Sequence, residues 1–106
     1  MTDINPVVQA ALDAANRGDL PGFLACFDDD GVVDDWGREF QGEARITAWS
    51  NAEFIGRQVS LAVVTVRVDG DETVVKAQVG GNGFNGPSTF TFVVDGDRLS
   101  RMVIRA

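Results

Sequence analysis

Val59-Ser-Leu-Ala-Val-Val-Thr-Val-Arg-Val68 leads into Asp69-Gly70-Asp71-Glu72 and then into Thr73-Val-Val-Lys-Ala-Gln-Val79. Both flanks are rich in β-branched residues, which fit a pleated surface. The Asp-Gly step between them is a hairpin signal, because those two residues tolerate the backbone angles a tight turn demands. The pattern repeats downstream, where residues 87–94 and 98–105 flank Asp95-Gly96-Asp97. The second half of the chain is therefore expected to be an antiparallel meander.

Working back from that meander, the period changes from two to 3.6. Asn5-Pro6 reads as a helix cap with proline at the first helical position. Val8, Ala11, Leu12 and Ala15 then recur at helical spacing until Gly18 stops the run. Asp19 caps a second short helix with Leu20, Phe23, Leu24 and Phe27 on its apolar face. Asp28-Asp29-Asp30-Gly31 reads as a turn, residues 32–36 as a strand ending at Gly37, and residues 38–42 as a short extended return. A third helix is expected over about residues 43–55, with Ile46, Trp49, Ala52 and Phe54 inward. Helices first and then a meander predict an α+β fold, a curved antiparallel β-sheet wrapped around about three N-terminal helices.

Composition narrows what such a domain can do. At 106 residues, 44% of them hydrophobic, residues 1–106 make a single domain with enough apolar material for one core. The net charge of −7 repels phosphate backbones and anionic headgroups, so neither nucleic acid nor a membrane surface is an expected partner. The N-terminal residues lack the basic and apolar regions of a signal peptide, and a cytoplasmic protein is expected. Histidine and tyrosine are both absent. Their absence removes Ser-His-Asp and Cys-His catalysis, imidazole ligands for metals, and the phenol as an oxyanion donor. The single cysteine, Cys26, lies in the apolar run Leu24-Ala25-Cys26-Phe27, where a thiol acts as a small hydrophobe.

Three motifs resemble chemical sites without meeting their requirements. Gly81-Asn-Gly83-Phe-Asn-Gly86 has the spacing of a phosphate loop, but Pro87 and a strand follow where a helix N-terminus is needed. In Asp28-Asp29-Asp30-Gly31 the calcium-loop frame would put ligands at Cys26 and Gly37, which supply none. Arg67-Val68-Asp69 puts a guanidinium and a carboxylate on one strand face, but Asp69 begins the Asp-Gly turn and is expected to bond the backbone there.

Asp34-Asp35 remains. A carboxylate in apolar surroundings holds its proton more tightly and can serve as a general base near neutral pH. Alternation along the strand puts Val33 and Asp35 on one side and Val32, Asp34 and Trp36 on the other. The two acids therefore cannot form a proton-sharing pair, and one at most faces an interior.

Ala10-Ala-Leu-Asp-Ala-Ala-Asn-Arg-Gly18-Asp19-Leu20, then Phe27-Asp-Asp-Asp-Gly-Val-Val-Asp-Asp35-Trp-Gly37, then Phe40-Gln-Gly42-Glu-Ala-Arg-Ile46-Thr-Ala-Trp49 together resemble the SnoaL-like branch of the nuclear transport factor 2-like superfamily. The resemblance covers the first half of the chain, and the sheet-rich second half is compatible with it. It implies a cone of helices inside a curved sheet, with an apolar pocket at the wide end and a homodimer as the common assembly. Members include ketosteroid isomerases, polyketide cyclases, epoxide hydrolases and proteins that bind without reacting.

The ketosteroid-isomerase pattern places its base at Asp35 and leaves Asp34 as a surface or edge acid. Its oxyanion tyrosine falls near Ala11 and its assisting acid near Phe90, so both donors are missing. The epoxide-hydrolase pattern needs two acids and an arginine, which only Arg67-Val68-Asp69 suggests.

Two readings follow. One is an enzyme, cyclase- or isomerase-like and free of cofactor and metal, using Asp35 as base on a hydrophobic small molecule. That reading needs a cavity for a drug-sized ligand around Asp35. Trp36, Trp49, Phe54, Phe84 and Asn82 are then the expected substrate contacts, with ordinary core packing as the competing role for the aromatic residues. Any oxyanion would fall to the Trp36 or Trp49 indole, Asn82 or Asn85. The other reading is a non-catalytic binding or dimerisation module in which Asp35 orients a ligand or a water.

Overall fold

The computed structural model describes residues 4–106. Asn5 caps the first helix, α1 (Pro6–Asn16), by accepting the Val7 N–H on its Oδ1 at 3.0 Å. Its buried face is Val8, Ala11, Leu12, Ala14 and Ala15, and Gly18 at φ 70° turns the chain away. Asp19 caps α2 (Leu20–Ala25) through the Gly22 N–H at 3.0 Å. The chain then forms β1 (Phe27–Asp35) and β2 (Arg38–Gln41) before α3 (Glu43–Glu53) and a 3₁₀ turn at Ile55–Arg57. Four strands complete it: β3 (Ser60–Asp69), β4 (Glu72–Gly80), β5 (Gly86–Asp95) and β6 (Arg98–Arg105).

The six strands form one curved, unclosed sheet in the order β2-β1-β6-β5-β4-β3. The pairs are antiparallel except β1 with β6, which run parallel because β6 returns to fill the space between β1 and β5. The meander is present as expected, and its last strand is where it joins the N-terminal half.

Three local readings are corrected. Residues 28–31 lie within β1 and do not form a turn. From Phe27 to Val32 the strand advances five residues while β6 advances only from Leu99 to Arg101, so the acids ride on a bulge that keeps the strand continuous. Trp36 falls outside the strand, in the two-residue turn between β1 and β2, with φ 55° followed by Gly37 at 89°. Third, α3 ends at Glu53 and leaves Ala52 exposed. A Cβ at Gly56 would collide with the backbone carbonyl of Asn51, so glycine permits the tight exit from the helix.

Burial alternates along the inner strands as period two requires. Val75, Ala77 and Val79 of β4 and Phe90 and Phe92 of β5 all point inward. A row of rings crosses the concave side: Phe27 to Phe23 at 5.2 Å between centroids, Phe23 to Phe54 at 5.5 Å, Phe54 to Trp49 at 4.8 Å and Trp49 to Phe40 at 6.2 Å. These rings pack α2 and α3 onto the sheet. Among the described residues no helix is long and apolar enough to cross a membrane.

Asn16, at the end of α1, ties that helix to β3 by donating to the Leu61 carbonyl at 3.1 Å and accepting the Leu61 N–H at 2.6 Å. Asn16→Ala leaves both backbone groups without that partner. It is expected to lower the unfolding free energy by about 1–2 kcal/mol, read as a shifted urea midpoint with unchanged slope.

Candidate functional site

Asp35 is the last residue of β1. It shares the concave side with Val33, which is fully buried, while Asp34 projects from the opposite face. Its side chain is 16% exposed. The Trp49 indole donates to Oδ2 at 3.1 Å and Arg38 Nη2 donates to the same oxygen at 2.6 Å. No hydrogen bond from the described residues reaches Oδ1. One carboxylate oxygen is thus held by two donors and the other is left to accept a proton or a hydrogen bond.

Beside Asp35 is a cavity of about 140 Å³, with Phe54, Arg57, Val59, Val79 and Phe90 among its walls. Drug-sized ligands fill roughly 300–1,000 Å³, so the space is smaller than the enzyme reading anticipates. The ring row explains why: Phe23, Phe27 and Trp49 occupy the depth that a wide cone would leave open. A larger groove of about 410 Å³ lies between α2, β1 and α3, but its charged groups, Asp28, Asp29, Glu43 and Arg98, form an exposed or half-exposed rim.

The expected contact residues separate in space. Phe54 is buried and lines the cavity. Trp36 and Phe84 line it from the mouth, each 60% exposed. Holding a tryptophan at positive φ costs roughly 1 kcal/mol, and here it presents a large apolar ring to solvent beside a cavity. Trp49 is not a wall residue, and its indole N–H is committed to Asp35. Asn82 is also outside the lining. Its backbone N–H bonds the Arg57 carbonyl at 2.8 Å and its Nδ2 bonds Gln58 Oε1 at 3.3 Å. Asn85 likewise bonds the carbonyls of Gly81 and Gly83. The glycine motif at 81–86 is therefore a strand connection docked on the 3₁₀ turn. A Cβ on Gly81 would stand 2.7 Å from the Gln58 carbonyl oxygen.

Three charged residues that sequence reasoning did not select complete the site. Arg38 bridges two carboxylates, bonding Glu53 through Nη1 at 3.0 Å and Nη2 at 2.7 Å as well as Asp35. Its guanidinium carbon also lies 5.6 Å from the Phe40 ring centre. Arg38 hydrogen bonding holds the Glu53 carboxyl below the usual carboxylate range, so Glu53 is charged at neutral pH and unsuited to donate a proton. Arg57 lines the cavity from the 3₁₀ turn. Only Arg38 had a legible signal, since the two-residue turn sets Asp35 directly across from it. The one two-acid-and-arginine arrangement suggested by the sequence, at Arg67-Val68-Asp69, is exposed on edge strand β3, and neither Arg67 nor Asp69 lines the cavity.

Asp34 also differs from expectation. It is 9% exposed and bound by Arg105 at 3.0 and 3.2 Å, by Arg101 at 3.5 Å and by the Gly37 N–H at 2.7 Å. It is a buried ion-paired acid of the outer sheet face, not an exposed edge acid. Cys26 is buried, donates to the Gly22 carbonyl at 3.4 Å, and burial pushes its thiol up, away from the reactive thiolate. Among the described residues no group of three or more histidine, cysteine, aspartate or glutamate side chains is placed to hold a metal ion.

Residues 8–102 match the sequence model of the SnoaL-like domain. The chain belongs to that family. This SnoaL-like domain is similar to a candidate polyketide cyclase of Sinorhizobium meliloti, at 28% identity and TM-score 0.89, with 97% of this chain and 96% of that one covered. It shares its fold with a hypothetical protein of Catenulispora acidiphila that has a ketosteroid isomerase-like fold and is in complex with trimethylamine (18% identity, TM-score 0.83, 98% and 87% covered). A computationally designed 17-OHP binder also shares the fold, at 17% identity and TM-score 0.81 over 94% and 87% of the two chains. No curated protein matches this SnoaL-like domain significantly.

The Arg105 hydrogen bond is the main reason the Asp34 carboxyl sits below its ordinary value. A group lowered on folding contributes stability above its unfolded pKa and loses it as pH falls through the folded one. Asp34→Asn is therefore expected to be destabilised at pH 7, where Arg105 loses its anion. Below about pH 3.9 the gap between native and variant should begin to narrow, and it closes only as pH passes the lowered folded value, as measured by urea midpoints from pH 7 down to pH 2.

Proposed function

We propose that this chain is a small-molecule pocket protein that admits a compact hydrophobic ligand between Trp36 and Phe84. In this reading Asp35 acts on it as a general base, as in a cofactor-independent cyclase- or isomerase-like enzyme. One observation carries the reading: Asp35 Oδ1 is unengaged at the wall of a largely apolar cavity while Oδ2 is gripped by Trp49 and Arg38. A base needs its accepting oxygen free and its orientation fixed, and a positioned carboxylate contributes about 10²–10⁴-fold to a proton transfer.

A second reading is favoured by a separate observation. The Trp49 indole, Asn82 and Asn85, proposed as oxyanion donors, all bond elsewhere in the protein. The remaining candidate, the Trp36 indole, stands 60% exposed at the mouth where water competes for its N–H, so the same cavity would serve a non-catalytic binding module in which Asp35 orients the ligand. The ligands named for the fold neighbours, trimethylamine and the 17-OHP of the designed binder, support small-molecule binding as the common property.

Phenylacetone in deuterium oxide separates the two readings. Catalysis predicts deuterium entering its methylene group, slowed about a hundredfold or more by Asp35→Asn. Binding that shifts the mouth resonances without exchange supports the module. A native protein that binds neither phenylacetone nor any similarly compact apolar ketone loses both readings.

The cytoplasmic location and the absence of a cofactor belong to the same proposal, and so does a homodimer. Val63, Val64 and Val68 lie 46%, 69% and 47% exposed along edge strand β3, an apolar surface suited to a second copy. Light scattering should give twice the chain mass for the native protein and one chain mass for Val64→Lys, and a native monomer would refute the dimer.

A further inference from the structure

Among the charged groups of the cavity, Arg57 alone has a guanidinium end with no partner. Its Nε–H donates to the Ala52 carbonyl at 2.9 Å, which fixes the plane of the group. The backbone carbonyl of Arg57 accepts the Asn82 N–H at 2.8 Å. Its stem packs against Gly83, where an added Cβ would sit 3.3 Å from both Cβ and Cγ of the arginine. Among the described residues no carboxylate lies within ion-pair distance of its Nη atoms. Glu53 is close enough to feel its charge, but both Glu53 oxygens are taken by Arg38. The two carboxylates share Arg38, and among the side chains lining the cavity the charged atoms left without a hydrogen-bond partner are then Asp35 Oδ1 and the two Nη atoms of Arg57, which is exposed at the rim, beside the neutral Ser88 hydroxyl and Trp36 indole.

We propose that Arg57 is the specificity-determining residue of the pocket. The ligand it selects is a compact hydroxy- or oxo-carboxylate, its carboxylate on the Arg57 Nη atoms, its acidic hydrogen toward Asp35 and its apolar body against Phe54, Phe90 and Val79. This rests on the pocket reading above and names the ligand class for it. Arginine suits the role because its planar fork meets a carboxylate with two parallel hydrogen bonds. The protein's net charge of −7 does not oppose it at contact, since distant surface acids are screened over about 8 Å at physiological ionic strength. An arginine held at Nε, backbone and stem is also pre-organised, so ordering it on binding costs little.

The test uses three probes with one apolar body and one hydroxyl: mandelate, mandelamide and the cation of 2-amino-1-phenylethanol. Each is titrated by NMR or calorimetry into the native protein, Arg57→Gln, Arg57→Lys and Asp35→Asn. Native protein should bind mandelate most tightly. Arg57→Gln should weaken mandelate about tenfold, the scale of one charge-assisted hydrogen bond near a surface, and leave mandelamide within about twofold of native. Arg57→Lys should recover part of the loss, because it restores the charge without the fork. If the amine binds tightest, or if the preference for mandelate survives in Arg57→Gln, the role of Arg57 is overturned while the pocket stands. If no probe binds a native protein that does bind phenylacetone, the ligand class is overturned while the pocket stands. If phenylacetone fails to bind as well, the pocket reading fails and takes the inference with it.

Discussion

The bond from the Trp49 indole to the Asp35 carboxylate joins the helical layer of this molecule to its sheet. Trp49 is 3% exposed within a row of rings from Phe27 to Phe40 that packs α2 and α3 against the sheet. A buried indole N–H must find an acceptor, and leaving it without one is costly. Asp35, at the end of β1, is that acceptor. Core packing thereby fixes the Asp35 carboxylate at the cavity wall, and Arg38 completes the grip from across the two-residue turn. The rings also limit depth, which is why the pocket lies at the rim of the cone and is small.

Charge on the two faces of β1 is handled in parallel ways. Alternation sends Asp35 inward and Asp34 outward, and each meets arginines contributed by neighbouring strands. On the outer face Asp34 accepts from Arg105, Arg101 and the Gly37 amide and so is fully engaged. On the inner face the bonds converge on one oxygen of Asp35. Adjacent residues of the same type thus differ in what they offer a ligand, and the difference arises from the bonding of their neighbours.

Much of the fold was legible because its signals are local. The Asn5 and Asp19 caps, the Asp-Gly turns and the β-branched runs each specify their own few residues, and all appear where the pattern puts them. The errors came from longer-range effects. The acids at 28–31 resemble a turn, but pairing with β6, some seventy residues later, holds them in a bulged strand. Of the site, Asp35 and Phe54 could be placed by alternation and helix spacing. Glu53 and Arg57 could not, since their approach depends on how α3 exits at Gly56 and how the 81–86 loop docks on the 3₁₀ turn. Trp49 has the chemistry of a ligand contact, and its actual partner, fourteen residues earlier, becomes visible only with the strand and helix packed.

The chain has two tryptophans and no tyrosine, and the fold puts the tryptophans in opposite settings. Near-ultraviolet light is therefore absorbed almost wholly by one indole buried against a carboxylate and one standing in water at the cavity mouth. Emission from the first follows the integrity of the interior, and emission from the second follows whatever arrives at the rim. The protein carries its own two-channel optical gauge, separating loss of structure from occupation of the site without a dye or label.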